Sequence, residues 1–216
     1  MLPVIDHFKP NPSTDLLNRV QALSEKLREE RGELTPDKEF RPLIPDRLED
    51  APSLQMDDLS GTKQSAIRSD SSYLEGRARL RAQEGDLLVT GIPPPSGYET
   101  YCREFLGLGK VMWVHPETAP EELHLASLCW KDRKVRRTLV HACRSHSLFY
   151  IHPYMGSLSV WRMADLMHRS SRRTLKVIGP HPGLAAWVNN KADFARTASR
   201  LFGEMSIPAT RVANNF

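Results

Sequence analysis

Three stretches of this sequence place small, turn-forming and polar residues directly behind a short apolar run. Thr90-Gly91-Ile92-Pro93-Pro94-Pro95-Ser96-Gly97 follows Asp86–Val89. His152-Pro153-Tyr154-Met155-Gly156 follows Leu148–Ile151, and Gly179-Pro180-His181-Pro182-Gly183 follows Leu175–Ile178. Apolar runs of four to six residues bounded by such turns read as buried parallel strands, and open parallel sheets bind ligands outside the carboxyl ends of their strands. The three loops then share one edge, and Gly91, Tyr154, Gly179 and His181 are the candidate substrate-binding residues. The plainer reading of each loop is that glycine and proline simply end a strand.

The chemistry these residues do not support is as informative. No GxGxxG follows the first run, because Gly91 leads into three prolines, which lack the N–H groups that cradle a phosphate. A GxxxxGK[ST] loop, a GxSxG elbow and an HExxH pair are also missing from the sequence. His115, His152 and His181 each stand just after an expected strand and before a proline or beside one, where a metal or acid–base role competes with that of an ordinary polar loop residue. Cys102, Cys129 and Cys143 form no CxxC pair, so no zinc site is expected, and their sparse, odd count suits a reducing compartment. No catalytic nucleophile–base pair and no metal site is expected.

The elements that must position these loops alternate. Helices are expected at 71–84, 98–106, 121–128, 132–145, 158–169 and 190–204. Strands are expected at 86–91, 110–114, 148–151 and 175–179. Single helices between short strands imply βαβ units and a parallel sheet. Ahead of them, Leu16, Leu17, Val20, Leu23 and Leu27 recur at helical spacing behind a Ser13 or Thr14 cap, with Gly32 as the stop. Residues 33–70 carry Pro36, Pro42, Pro45 and Pro52 among acidic and polar residues. They read as an extended or disordered connector, with Phe40, Leu43 and Ile44 able to pin it to a surface.

The fold class is α/β, a small Rossmann-like parallel-sheet domain with flanking helices, preceded by an N-terminal helix and a Pro-rich linker. The domain division is 1–70, 71–189 and 190–216. The chain of 216 residues has a net charge of +4 and a mean hydropathy of −0.45. Basic runs at 131–137 and 169–176 read as solvated helix faces, so nucleic acid is not expected as a partner. No apolar stretch approaches the length of a membrane span and the first twelve residues do not read as a signal peptide, so the expected location is cytoplasmic.

The segment from Val177 through Gly179-Pro180 and Asn190-Lys191 to Ile207-Pro208-Ala209-Thr210 resembles the junction at which ATP-grasp enzymes begin their nucleotide-binding region. Upstream, Asp86–Gly91 with Tyr98–Gly109, and Tyr150–Tyr154, resemble the preceding domain of the peptide-ligase-like branch of that superfamily. The resemblance covers roughly residues 86–211. It implies a ligase that activates a carboxylate as an acyl phosphate and couples it to an amine, with ATP and Mg2+ as cofactors. It also implies that Lys191 contacts the nucleotide's phosphates and that the front domain shapes a site for a small-molecule carboxylate or amine.

The sequence departs from the family in lacking the glycine-rich lid, second lysine and acidic magnesium ligands of the ATP clamp. The chain is therefore read as an incomplete, front portion of such a ligase, inactive by itself, with a complementing ATP-grasp subunit or a second copy as its partner. The alternative is a non-catalytic α/β module that binds a ligand or a protein. A complete enzyme of a different α/β family ranks last.

Overall fold

The computed structural model describes residues 13–59, 74–117 and 124–203. The chain falls into two units, Pro36–Ala185 and a second formed by Met1–Thr35 with Ala186–Phe216.

The larger unit is built on a five-stranded, all-parallel sheet of order β3-β2-β1-β4-β5. The strands are β1 (Ser53–Met56), β2 (Leu87–Val89), β3 (Met112–Val114), β4 (Leu148–Pro153) and β5 (Thr174–Val177). The chain winds outward from β1 to β3, then crosses back to add β4 and β5 on the other side of β1. This is a doubly wound topology whose reversal lies between β1 and β4.

The central strand comes from the segment that the sequence marks as a connector. Pro52 stands just outside β1, where its missing N–H breaks no ladder bond. Ser53-Leu54-Gln55-Met56 then pairs with β2 on one side and β4 on the other, fully buried. Upstream, a 3-10 turn at Arg41–Leu43 seats Phe40 and Leu43 in the core, with Phe40 packed at 5.5 Å between ring centroids on Trp161. The prolines therefore shape short turns around a strand and do not mark a disordered tether.

Helices α3 (Leu125–Lys131), α4 (Arg133–Arg144) and α5 (Leu158–Ser171) share a core with Leu54, Met56, Val89, Ile151 and Val177. Their apolar residues recur at three and four positions, as in Val135, Leu139 and Cys143, which gives each helix one inward stripe. Capping is explicit. Asp132 accepts the N–H groups of Lys134 and Val135 at 2.8 and 3.0 Å, and Ser157 caps α5.

The opposite face carries Leu88 against Ala78, Ala82 and Val111. Of the helix expected over 71–84, the described part is α-helical at 74–75 and tightens into a 3-10 turn at Gly76–Leu80. The physical reason is Arg79, which points inward instead of outward. It is fully buried, and bonds the Glu99 carboxylate at 2.7 and 3.1 Å and the Gly109 carbonyl at 2.6 Å. Glu99 lies on α2 (Tyr98–Glu104) and also accepts the Trp113 indole N–H at 2.9 Å. One buried guanidinium thus ties the turn, α2 and the approach to β3 together. Positive-φ Gly97 and Gly107 bracket α2, conformations that a side chain would strain. Residues 71–73 and 121–123 of the expected helices lie outside the described residues.

The smaller unit pairs α1 (Thr14–Glu30) with α7 (Lys191–Phe202). Arg31 bonds Asp193 at 2.8 Å, and Arg19 donates to the Leu201 carbonyl at the end of α7. A short helix, α6 (Pro182–Asn189), spans the boundary between the units. No helix among the described residues is long and apolar enough to cross a membrane.

The central position of β1 has a measurable consequence. Leu54→Ala is expected to cost about 2–5 kcal/mol in urea unfolding, whereas Leu80→Ala, at an exposed position, stays within about 0.5 kcal/mol. Equal, negligible effects would remove 53–56 from the core.

Candidate functional site

The carboxyl ends of β1 and β4 meet at the reversal of strand order, and the Tyr154 N–H donates to the Met56 carbonyl at 2.9 Å. β1 runs directly into Asp57 and Asp58, whose side chains leave opposite faces because successive strand residues alternate. Asp58 turns to the helical layer and accepts the Ala126 N–H at 3.1 Å, holding the first turn of α3. Asp57 turns to the other face. Only 1% of it is exposed, and Arg81 bonds its Oδ1 at 2.6 Å. Among the described residues its Oδ2 accepts no hydrogen bond and has Arg77 Nη2 at 3.7 Å.

Arg77 bridges the two strand ends. Its guanidinium also lies over the Tyr154 ring, with Cζ 5.1 Å from the centroid. Tyr154 is itself half exposed, so the ring and the guanidinium both face solvent in part. The strand ends therefore present a planar cation able to hold a carboxylate beside an aromatic surface, over a buried carboxylate.

The loops behind β4 and β5 are pressed against each other. A Cβ on Gly156 would overlap the Pro180 carbonyl oxygen, and that same oxygen accepts the Trp161 indole N–H at 3.0 Å. Gly179 has Pro153 Cγ as its nearest neighbour at 3.7 Å, ordinary contact that a methyl group tolerates. His181 is buried, and its carbonyl accepts the Ala185 N–H to open α6. Tyr154, Gly179 and His181 are thus gathered beside β4 and β5. Gly91 ends β2, on the other side of β1, where its N–H is bonded to the Glu75 carboxylate.

Lys191 belongs to the smaller unit, in the first turn of α7. It is exposed, and its side chain makes no hydrogen bond or ion pair among the described residues. Asn190 Oδ1 already accepts the N–H groups of Ala192 and Asp193, so this helix start leaves the Lys191 ammonium and the Lys191 N–H. Asp193 is held below the usual carboxylate range by the Arg196 bond, with Arg31 adding to it.

Other titratable groups are structural. Burial raises the thiols of Cys129 and Cys143, and the three described cysteines are free and buried, which makes them poor nucleophiles. Burial also pushes Tyr98 up to about 12. Glu99 is partly buried, which acts upward, but its bonds from Arg79 and Trp113 win and hold it low. Among the described residues no group of three or more His, Cys, Asp or Glu could hold a metal ion.

Asp57, Asp58, Arg77 and Arg81 were not among the residues singled out from the sequence. The signal was the alternation Leu54-x-Met56 ahead of a paired Asp-Asp, masked by the surrounding prolines.

Fold and geometry together define a doubly wound parallel-sheet domain with a candidate site at its topological reversal. Residues 76–168 match the family described as Pre ATP-grasp domain, somewhat under half of the chain, consistent with the N-terminal region of an ATP-grasp superfamily protein. The matched span contains Arg77, Gly91 and Tyr154 and begins after β1. Neither the comparison with curated proteins nor that with solved structures returned a match.

His152 pairs in register with Gln55, and its pKa is lowered from 6.5 by burial and then by Arg81. Its neutral form is the folded one, so the stability it supports is complete above its unfolded value and is lost as pH falls below it. Unfolding free energy is expected to drop from about pH 7.5 to pH 5.5, with a smaller slope in His152→Gln; an unchanged slope would exclude His152 as its source.

The two loop glycines separate in the same assay. Gly156→Ala should destabilise the fold by about 1–3 kcal/mol through the clash with Pro180. Gly179→Ala should be close to neutral, and the reverse order would contradict the packing of these loops.

Proposed function

We propose that this chain is the front, substrate-side portion of an ATP-grasp ligase that couples a carboxylate to an amine through an acyl phosphate. The Pre ATP-grasp match across the strand-end loops carries the reading. ATP and Mg2+ supply phosphoryl activation in that superfamily, and the residues of this chain act around the acceptor or donor molecule. Arg77 receives a carboxylate and Tyr154 covers its side chain, while Asp57, itself out of solvent, holds Arg77 and Arg81 in place. Gly91, Gly179 and His181 close the crevice on either side.

Lys191 would contact nucleotide phosphates as a point charge, since Asn190 occupies the neighbouring backbone donors. Ligation in this superfamily also needs an ATP clamp, which a complementing ATP-grasp region would supply. A small-molecule binding module without catalysis is the reading that remains if ligands bind and no ligation partner can be reconstituted.

The test is thermal unfolding and calorimetry of the 216-residue chain with amino acids and dipeptides, set against their methyl esters. Free carboxylates at about a hundred times their dissociation constant should stabilise the fold by about 2.7 kcal/mol. The esters and Arg77→Gln should lose that gain, and Lys191→Ala should keep it. Mg-ATP alone should leave the midpoint unchanged. Clear nucleotide binding abolished by Lys191→Ala, or turnover by the isolated chain, would show a more complete site. Indifference to every carboxylate would remove the substrate role of the crevice.

A further inference from the structure

Charge is distributed unevenly along this chain. Residues 131–176 carry eleven lysines and arginines against two aspartates, although the whole chain is only +4. Much of this charge lies on α4. Arg133, Arg137 and Arg144 recur on one helix face, beside a surface groove of about 1150 Å³ that Trp130 and Met112 also line. Arg136 is engaged by stacking on Trp130, and Lys134 reaches Glu117 at 3.6 Å. Arg133 and Arg137 make no ion pair among the described residues.

Trp130 also lines a second groove, of about 360 Å³, between α3 and α5. There Leu158, Met163 and Leu166 meet Lys131 and Arg162, which likewise make no ion pair among the described residues. Leu158 and Leu166 are both exposed. An apolar groove continuous with a basic one fits a segment that has an aliphatic anchor between acidic residues.

The same unit displays such a segment. Asp46-Arg47-Leu48-Glu49-Asp50 precedes β1, and Leu48 is 65% exposed, with three carboxylates around it. Arg47, the one base in it, is already paired with Glu49 at 3.1 Å.

We infer that the occupant of the grooves is a second copy of this chain, whose Leu48 seats between α3 and α5 while Asp46 and Asp50 face the basic residues around Trp130. Each copy carries both the segment and the grooves, so a two-fold pair makes the contact twice and closes. A phosphate backbone would satisfy the arginines but leave Leu158 and Leu166 uncovered, and a flat lipid surface would not enter a concave groove.

Sedimentation velocity of the full chain should show a dimer whose dissociation constant rises with salt. Leu48→Ser removes the anchor and should weaken it about tenfold or more. Its fold should be unaffected because Leu48 is exposed, and circular dichroism checks this.

The decisive arm uses two charge-inverted chains, Arg133→Glu/Arg137→Glu and Asp46→Arg/Asp50→Arg. Each alone should be monomeric, and mixing them should restore association, because both contacts of the mixed pair again join opposite charges. A chain that stays monomeric up to about 100 μM, a range that detects micromolar constants, overturns the inference. So does a dimer indifferent to these substitutions. Binding of a single-stranded oligonucleotide or an anionic vesicle by a monomer through Arg133 and Arg137 also overturns it.

Discussion

The larger unit depends on four residues. Ser53–Met56 is the only strand among the described residues that joins the two halves of the sheet, with β2 bonded along one side and β4 along the other. A parallel strand in this position must satisfy its backbone in both directions and hide both faces. The burial of all four residues meets that condition. The constraint extends beyond the strand. The aspartates that follow it leave on opposite faces, so one dipeptide steadies the first turn of α3 and also draws Arg77 and Arg81 to the other layer.

This arrangement explains why the crevice lies where it does. In a doubly wound sheet the connections from neighbouring strands depart to opposite sides at the reversal, leaving a gap above the strand ends. Here Arg77 and Tyr154 stand at the strand ends over the buried Asp57 carboxylate, one oxygen of which is bonded to Arg81. The neighbouring loops are set by packing instead of by chemistry. Gly156 is required because the Pro180 carbonyl occupies the space of its side chain, while Trp161 holds that carbonyl from the helical layer. The candidate site therefore has closely packed loops beside β5 and a charged, partly exposed side on the turn at Gly76–Leu80.

Buried charge recurs as a fastening device in this protein. Arg79 is out of water entirely and is compensated by the Glu99 carboxylate and the Gly109 carbonyl, although its Nη1 has no hydrogen-bond partner among the described residues. Such a pair contributes little net stability when its desolvation is counted, but removing either member leaves the other stranded. Its structural effect is to fix which way the 3-10 turn faces, and so where Arg77, two residues earlier, emerges at the strand ends.

The strands at 87–89, 112–114, 148–153 and 174–177 were legible from short apolar runs closed by glycine or proline, and α4 from its stripe of Val135, Leu139 and Cys143. These are local patterns, set by the repeat of helix or strand, and they need no knowledge of the partner surface. The loops holding Gly91, Tyr154, Gly179 and His181 were located for the same reason. The tertiary structure alone revealed β1. A four-residue strand between prolines has too short a period to stand out, and its pairing partners lie more than thirty residues away on one side and nearly a hundred on the other. It alone also decided the inward turn of Arg79 and the meeting of Arg77, Asp57 and Tyr154. Those contacts join distant parts of the chain, and only the order in which the strands are laid side by side brings them together.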